Sequence, residues 1–181
     1  MGVLTDYFTA PSDPAAAAAL DGLLDLTPAA HEADREMHRH TPETASRPRL
    51  QIAANGTPVL FARGVDPVVM LGFLEAVLTG RTYERVRDDP RQGSLVAGGD
   101  GGTVLTVTDT LRDALAARDA SALERDGYAW AAARRADGPH DVEDDEAAVR
   151  FAMVLSELAT GAAARGEHLY CRVIGTERSR T

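Results

Sequence analysis

Apolar residues that recur every three or four positions predict several helices in this chain. The clearest pattern runs over residues 143–164, where the apolar side chains fall on one helical face: Ala148, Phe151, Ala152, Leu155, Leu158, Ala159 and Ala162. Residues 66–79 are apolar on nearly every side, which is typical of a helix at the centre of a core. Asp66 and Pro67 supply its N-cap and first turn, and Gly80 supplies its end.

Three more helices are predicted, over residues 15–24, 108–118 and 121–135. Asp13 and Pro14 are a cap and a first-turn proline for the first of them. Ser121 and Glu124 have the spacing of a capping box for the third. In that third helix Trp130 shares one face with other apolar or small residues, which favours packing in the core.

Short alternating stretches between the helices predict strands. They lie at residues 2–9, 50–52, 58–61, 95–97, 104–107 and 168–174. Asn55 and Gly56 favour a tight turn that joins the second and third of these stretches, and a glycine-rich run at 98–102 joins the next two. Because hairpins and helices are interleaved, we predict an α+β fold with short hairpins, terminal strands and about four to five helices.

Two segments lack any such periodicity. Residues 25–48 contain three prolines and almost no large apolar side chain, which predicts a mobile surface segment that could include a short helix over 29–38. Residues 176–181 are polar and predict a flexible tail. At 181 residues, the chain has the length of a single domain.

The charge of the chain narrows the classes of partner. All 19 basic residues are arginine, and 28 acidic residues bring the formal net charge to −9. This charge repels phosphate backbones, so we do not expect nucleic-acid binding, and the lack of lysine excludes a Schiff base or a phosphate-loop lysine. The longest strongly apolar stretch, residues 65–78, is too short to cross a bilayer. With one cysteine and no signal-peptide pattern, we expect a cytoplasmic protein that does not bind membranes.

A candidate binding cleft lies beside the start of the central apolar helix. Arg63 and Asp66 flank this start, where helix N-termini attract anions, and Glu75 is a carboxylate on an otherwise apolar surface. Tyr7 and Trp130 could add aromatic walls if their elements meet there. The alternative is structural: the aspartate caps the helix, and the arginine forms an internal ion pair.

Acidic residues gather at residues 137–146, where Asp141, Asp144 and Asp145 have no basic neighbour in the sequence. We interpret this run as a candidate surface for a partner protein with a basic surface. The alternative is again structural, because acids just before a helix interact favourably with the positive end of its macrodipole.

A second polar cluster contains histidines. On a helix, His31 and His38 would share a face with Asp34, as metal ligands do, and His40 lies nearby. The histidine spacings of seven and two differ from those of a zinc-binding helix, which has two histidines four apart with a glutamate between. We therefore predict a solvated histidine-rich loop with no metal and no cofactor.

Three pieces of the chain resemble a known family. They are the start MGVLTDYF, the segment GVDPVVMLGFLEAVLTG at residues 64–80 and the ending ARGEHLYC at residues 164–171. These pieces are similar to small uncharacterised bacterial proteins and to the YfbM-like family of unknown function. The resemblance implies a compact α+β domain that begins and ends with a strand, and it implies no catalytic or ligand-binding residue.

Together these patterns favour a cytoplasmic, non-enzymatic binding or interaction module with an acidic surface. One alternative is a small hydrolase or transferase that uses Arg63 with Asp66 or Glu75 in the cleft. Another is a metal-responsive protein that uses the histidines at residues 31–40.

Overall fold

The computed structural model describes residues 4–24, 48–53, 56–99, 102–136 and 145–174, which form six strands and six helices. In chain order these are β1 (Leu4–Ala10), α1 (Asp13–Leu24), β2 (Arg49–Ile52), β3 (Pro58–Arg63), α2 (Val69–Thr79), α3 (Tyr83–Arg87), β4 (Leu95–Gly99), β5 (Gly102–Thr106), α4 (Asp109–Ala116), α5 (Ala120–Ala136), α6 (Asp145–Arg165) and β6 (His168–Ile174). The predicted α+β class and the two predicted hairpins are confirmed.

All six strands pair antiparallel in one sheet, in the order β2-β3-β1-β6-β5-β4. The first and last strands of the described chain are therefore neighbours at the centre of the sheet. Their register places Asp6 opposite Arg172 and Tyr7 opposite Cys171. Since successive side chains of a strand point to opposite faces, these two pairs lie on opposite sides of the sheet.

One face of the sheet carries the larger core. Tyr7, Leu60 and Cys171 lie on this face, where α4 and α6 pack on the strands and α2 and α5 pack against those helices. The helices contribute most of the fully or nearly fully buried apolar side chains: Leu71, Leu74, Leu111, Leu115, Leu123, Trp130, Phe151, Leu155 and Leu158. Each such side chain contributes roughly 1.5–3 kcal/mol when it leaves water, so this layer is the main source of stability.

The opposite face carries a smaller core against α1. Phe8 and Tyr170 stack there with ring centroids 5.7 Å apart, and Ala16 of α1 packs against the same cluster. The apolar side chains of this cluster share their face with a buried ion pair. Both Asp6 and Arg172 have no exposed surface, and Arg172 Nε donates to Asp6 Oδ2 at 2.9 Å.

The caps of two helices differ from those predicted. Ser12 Oγ, and not Asp13, accepts from the backbone at the start of α1, and Asp13 instead contacts residues on the sheet. At α5 the carboxylate of Asp119 accepts from Ala122 N at 2.8 Å, so the capping box predicted from Ser121 is wrong. In both cases the residue one or two positions earlier is an equally good capping residue, and the local sequence alone does not choose between them.

Helix α3 was not predicted. Residues 81–90 are polar and have no apolar periodicity, but Thr82 Oγ1 accepts from Arg85 N and caps a short helix. Val86 is fully buried there, and Tyr83 stacks on Phe73 with ring centroids 4.5 Å apart. These two contacts attach the short helix to the core.

Several predictions fall outside the described residues. The predicted mobile segment lies almost entirely in residues 25–47, which are not described, and so does the short helix considered over 29–38. The predicted tail at 176–181 is not described either.

Helix α6 is long and apolar enough to span a membrane by length and composition alone, with a mean hydropathy of 1.3 over its most apolar window. Half of that window is buried inside the domain, as in the core helix of a globular protein. The residues that are buried include Phe151, Leu155 and Leu158, which pack in the larger core. The expectation that the protein does not bind membranes stays a prediction.

We expect Gly127→Ala to destabilise the protein by about 1–3 kcal/mol, because α5 and α6 are in close contact there. A Cβ atom at this position would lie 2.8 Å from Val149 Cα, which is backbone and cannot move alone. Gly161→Ala is the matched control, since its Cβ would meet only the mobile end of Arg165 at 3.1 Å. That variant should be neutral or more stable by up to about 1 kcal/mol. Urea unfolding measures both, and equal effects of the two substitutions would contradict the close helix contact.

Removal of one residue of the buried ion pair should lower the free energy of unfolding more than removal of one residue of an exposed ion pair. We expect Asp6→Ala to lower the free energy of unfolding by about 3–5 kcal/mol, because it leaves Arg172 charged in the core. The double variant Asp6→Val with Arg172→Met should recover most of this loss, since it replaces the pair with apolar groups. Asp113→Ala, which breaks an exposed pair with Arg112, serves as the control and should cost less than about 1 kcal/mol. A double variant as unstable as Asp6→Ala would show that the charge pairing is not the cause.

Candidate functional site

The two aromatic residues predicted to line a cleft are packed in the core. Tyr7 and Trp130 have no exposed surface, and both contact Phe151, at centroid distances of 5.4 and 5.7 Å. The indole Nε1 of Trp130 donates to the carbonyl oxygen of Met70 at 2.9 Å, which joins α5 to α2. The structure thus brings both side chains to the start of α2, as the cleft prediction requires, but gives them a packing role.

Asp66 caps α2. Its Oδ1 accepts from the backbone nitrogens of Val68 and Val69 at 2.9 and 2.6 Å, which is the structural alternative considered for this residue. The backbone of Arg63 lies at the end of β3, opposite Leu4, and its side chain is outside the described part of the structure. An anion site made by these two residues therefore stays a prediction.

Glu75 is fully buried and lies in a polar contact between three elements. Its carboxylate accepts from Thr108 Oγ1, which also caps α4, and from Arg81 Nη1 at 3.2 Å. Burial raises the pKa of Glu75 above its ordinary value, and the hydrogen bond from Thr108 and the charge of Arg81 oppose that rise. Because the carboxylate has no exposed surface, this arrangement joins α2 to α4 and offers no access to a substrate.

A buried arginine that was not predicted as a site lies beside Trp130. Arg134, in the last turn of α5, has 6% of its surface exposed, and its guanidinium lies 4.9 Å from the centre of the indole ring. Burial lowers its pKa to about 10, so it remains charged at neutral pH. No hydrogen bond or ion pair from this guanidinium to another described residue is present.

Polar and charged side chains form a network around the start of β6. Tyr170 donates to Asp13 Oδ1 at 2.8 Å, and Arg91 pairs with the same oxygen at 3.1 Å. The hydrogen bond from Tyr170, followed by the contact with Arg91, lowers the pKa of Asp13. Burial raises the pKa of Tyr170 to about 12, and its hydrogen bond to Asp13 adds to that rise.

The same network contains a histidine and a carboxylate in direct contact. His168 Nδ1 lies 2.6 Å from Asp109 Oδ1, and Arg112 donates to that oxygen at 3.1 Å. A histidine oriented by a carboxylate is part of many general-base sites. Within the described ranges, however, no serine, threonine or cysteine hydrogen-bonds to His168, so this contact does not form a nucleophile-activating triad.

A groove of about 660 Å³ lies near this network, between the end of β1, α1 and the start of β3. Most of its lining residues are small or apolar, and two are charged: Thr9, Ala10, Pro11, Ala15, Ala18, Gly56, Thr57, Pro58, Arg165 and Glu167. The two charged residues pair with each other at 2.9 Å, and Arg165 also donates to Thr9 Oγ1 at 3.2 Å. The groove has the volume of a small-molecule site, and its charges are already paired.

The acidic surface predicted at residues 137–146 is described only at its end. Asp141 and Asp144 lie outside the described residues. Asp145 starts α6 and pairs with Arg135 of α5, with 39% of its side chain exposed. The histidines at residues 31, 38 and 40 also lie outside the described ranges, and within those ranges no cluster of three metal-ligating side chains occurs.

Comparison of the chain with models of protein families, with curated proteins and with solved structures finds no match. The resemblance to the YfbM-like family therefore stays a prediction.

We expect the burial of Glu75 to appear as a pH dependence of stability. Its pKa is raised in the folded protein above its ordinary value of 4.5, so the unfolded chain ionises at lower pH than the folded one. The free energy of unfolding should therefore fall as the pH rises above about 4.5, and Glu75→Gln should remove this decrease. Urea unfolding between pH 4 and pH 8 measures it, with Glu157→Gln on the surface as the control. A gap between Glu75→Gln and the wild type that does not widen with pH would contradict the raised pKa.

Proposed function

We propose that this protein is a cytoplasmic, non-enzymatic interaction module, and that its acidic segment, residues 137–146, binds a partner protein with a basic surface. The proposal rests first on the net charge of −9. A strongly acidic surface attracts basic partners over a distance and raises their rate of association.

The observation that carries the proposal is the exposure of the described acids at the start of α6. The side chain of Asp145 is 39% exposed and that of Glu146 is 72% exposed. Arg135 pairs with Asp145 and so joins the end of α5 to the start of α6. These two helices are the elements that precede and follow the acidic segment in the sequence, and they pack against each other.

The use of the other acids supports a binding module over the hydrolase or transferase alternative. Asp66 caps α2, and Glu75 is buried against Thr108 and Arg81. Both carboxylates that were candidates for catalysis beside α2 are thus engaged in contacts that stabilise the fold. The metal-responsive alternative depends on residues outside the described ranges and stays a hypothesis.

Neutralisation of the acidic segment should weaken partner binding. The variant Asp141→Asn, Asp144→Asn, Asp145→Asn is compared with a control that removes the same charge elsewhere, Asp88→Asn, Glu124→Gln, Glu157→Gln. The partner is captured from a lysate with the immobilised wild-type protein, purified, and its affinity for each variant is measured by calorimetry. Because three exposed charge contacts are lost, we expect at least about tenfold weaker binding by the first variant and little change in the control.

The salt dependence of binding is the second readout. We expect the affinity of the wild type to fall between 50 and 300 mM salt, and the acidic-segment variant to lose most of this dependence. Melting temperatures of all variants show whether they remain folded. Equal affinity of the two triple variants for the partner would overturn the proposal.

A further inference from the structure

Arg134 differs from the other buried ionisable side chains in the described part of the chain. Glu75 has Thr108 and Arg81 as partners, and Arg172 has Asp6. Arg134 has 94% of its surface buried, since 6% is exposed, and its Nε is fully buried without a hydrogen bond. A buried charge without an opposite charge is costly, so its retention needs an explanation.

The protein provides Arg134 with only partial compensation. The indole ring of Trp130 lies 4.9 Å from the guanidinium, which is a cation–π contact. Its position in the last turn of α5 places the charge near the negative end of the helix dipole. Neither contact supplies an acceptor for the guanidinium N–H groups, which are five donors in a planar fork.

Two described carboxylates at the starts of the neighbouring helices α2 and α6 have other partners. Asp66, at the start of α2, accepts two backbone hydrogen bonds as a cap. Asp145 pairs with Arg135, the residue next to Arg134. The described residues therefore contain no acceptor that pairs with the guanidinium of Arg134. This guanidinium is still charged at neutral pH, because the pKa of Arg134 is about 10.

We propose that Arg134, whose guanidinium lies over the Trp130 ring, is the anchor of a binding site for a small oxyanion, a carboxylate or phosphate group. Both kinds of group present two oxygen atoms that match a guanidinium fork in a bidentate contact. The apolar ring beside the charge lowers the local dielectric constant and strengthens that contact. Only a small part of the guanidinium surface is open, so the bound group is small or is the end of a larger ligand. This site goes beyond the proposed partner binding and is tested separately from it.

Trp130 allows the site to be observed directly, because it is the single tryptophan of the chain. The wild type is titrated with sodium phosphate and, separately, with sodium acetate, while sodium chloride keeps the ionic strength constant. We expect a saturable change in Trp130 fluorescence with at least one of the two oxyanions, and the one that binds identifies the ligand as phosphate or carboxylate. At a hundred times Kd the same anion should raise the melting temperature by roughly 5 °C or more.

Two neighbouring arginines provide matched variants. Arg134→Met keeps the apolar stem and removes the fork, and Arg135→Met removes the same charge from an exposed ion pair one residue later. The affinity of Arg134→Met for the anion should fall at least tenfold, while Arg135→Met should bind like the wild type. Arg134→Lys keeps the charge without the fork and should bind more weakly than the wild type. It also carries the comparison if Arg134→Met does not fold.

Three results would overturn the inference. They are a fluorescence change that does not saturate with either oxyanion, a change of the same size in sodium chloride alone, and equal binding by the Arg134 and Arg135 variants. The first two would mean that the wild type has no specific site. The third would place any anion site away from Arg134 and leave that side chain with a packing role.

Discussion

The buried ion pair between Asp6 and Arg172 joins the two ends of the described chain at the centre of the sheet. The paired residues are 166 positions apart, and both are fully buried. A shift of one residue between β1 and β6 would separate these charges and move Tyr7 from the larger core to the opposite face. The charge pair and the apolar alternation therefore specify the same register, and β3 and β5 add to the sheet on either side of it.

Polar side chains inside this fold mostly connect one element to another. Glu75 joins α2 to α4 through Thr108, and Trp130 joins α5 to α2 through its indole N–H. A buried polar group without a hydrogen bond destabilises the fold, because the interior has a low dielectric constant. These polar side chains therefore form hydrogen bonds with other parts of the protein. Arg134 is buried without a hydrogen bond or ion pair to another described residue, and the inferred oxyanion site follows from that difference.

Predictions from the sequence succeeded where the deciding contacts are local and the sequence offers one residue to make them. The Asp66 cap depends on residues within three positions, and the apolar face of α6 repeats within single turns. The caps at Ser12 and Asp119 were assigned to neighbours because adjacent residues have equivalent capping chemistry. Three residues of the predicted site do lie at the start of α2: Tyr7, Trp130 and Asp66. Arg134 was not predicted, because a sequence carries no signal for a buried charge without a partner.

The sequence by itself determined the six strands, five of the six described helices, the α+β class and the acidic character of the protein. These follow from periodicity, turn residues and composition, which act over a few residues or over the chain as a whole. Only the tertiary structure decided the order of the strands and the partners of the ionisable groups. The contact of His168 with Asp109 spans 59 positions, and that of Thr108 with Glu75 spans 33. The packing of the helices on the sheet determines which ionisable groups are in contact and how far each is removed from water. No pattern of neighbouring residues determines these contacts or this burial.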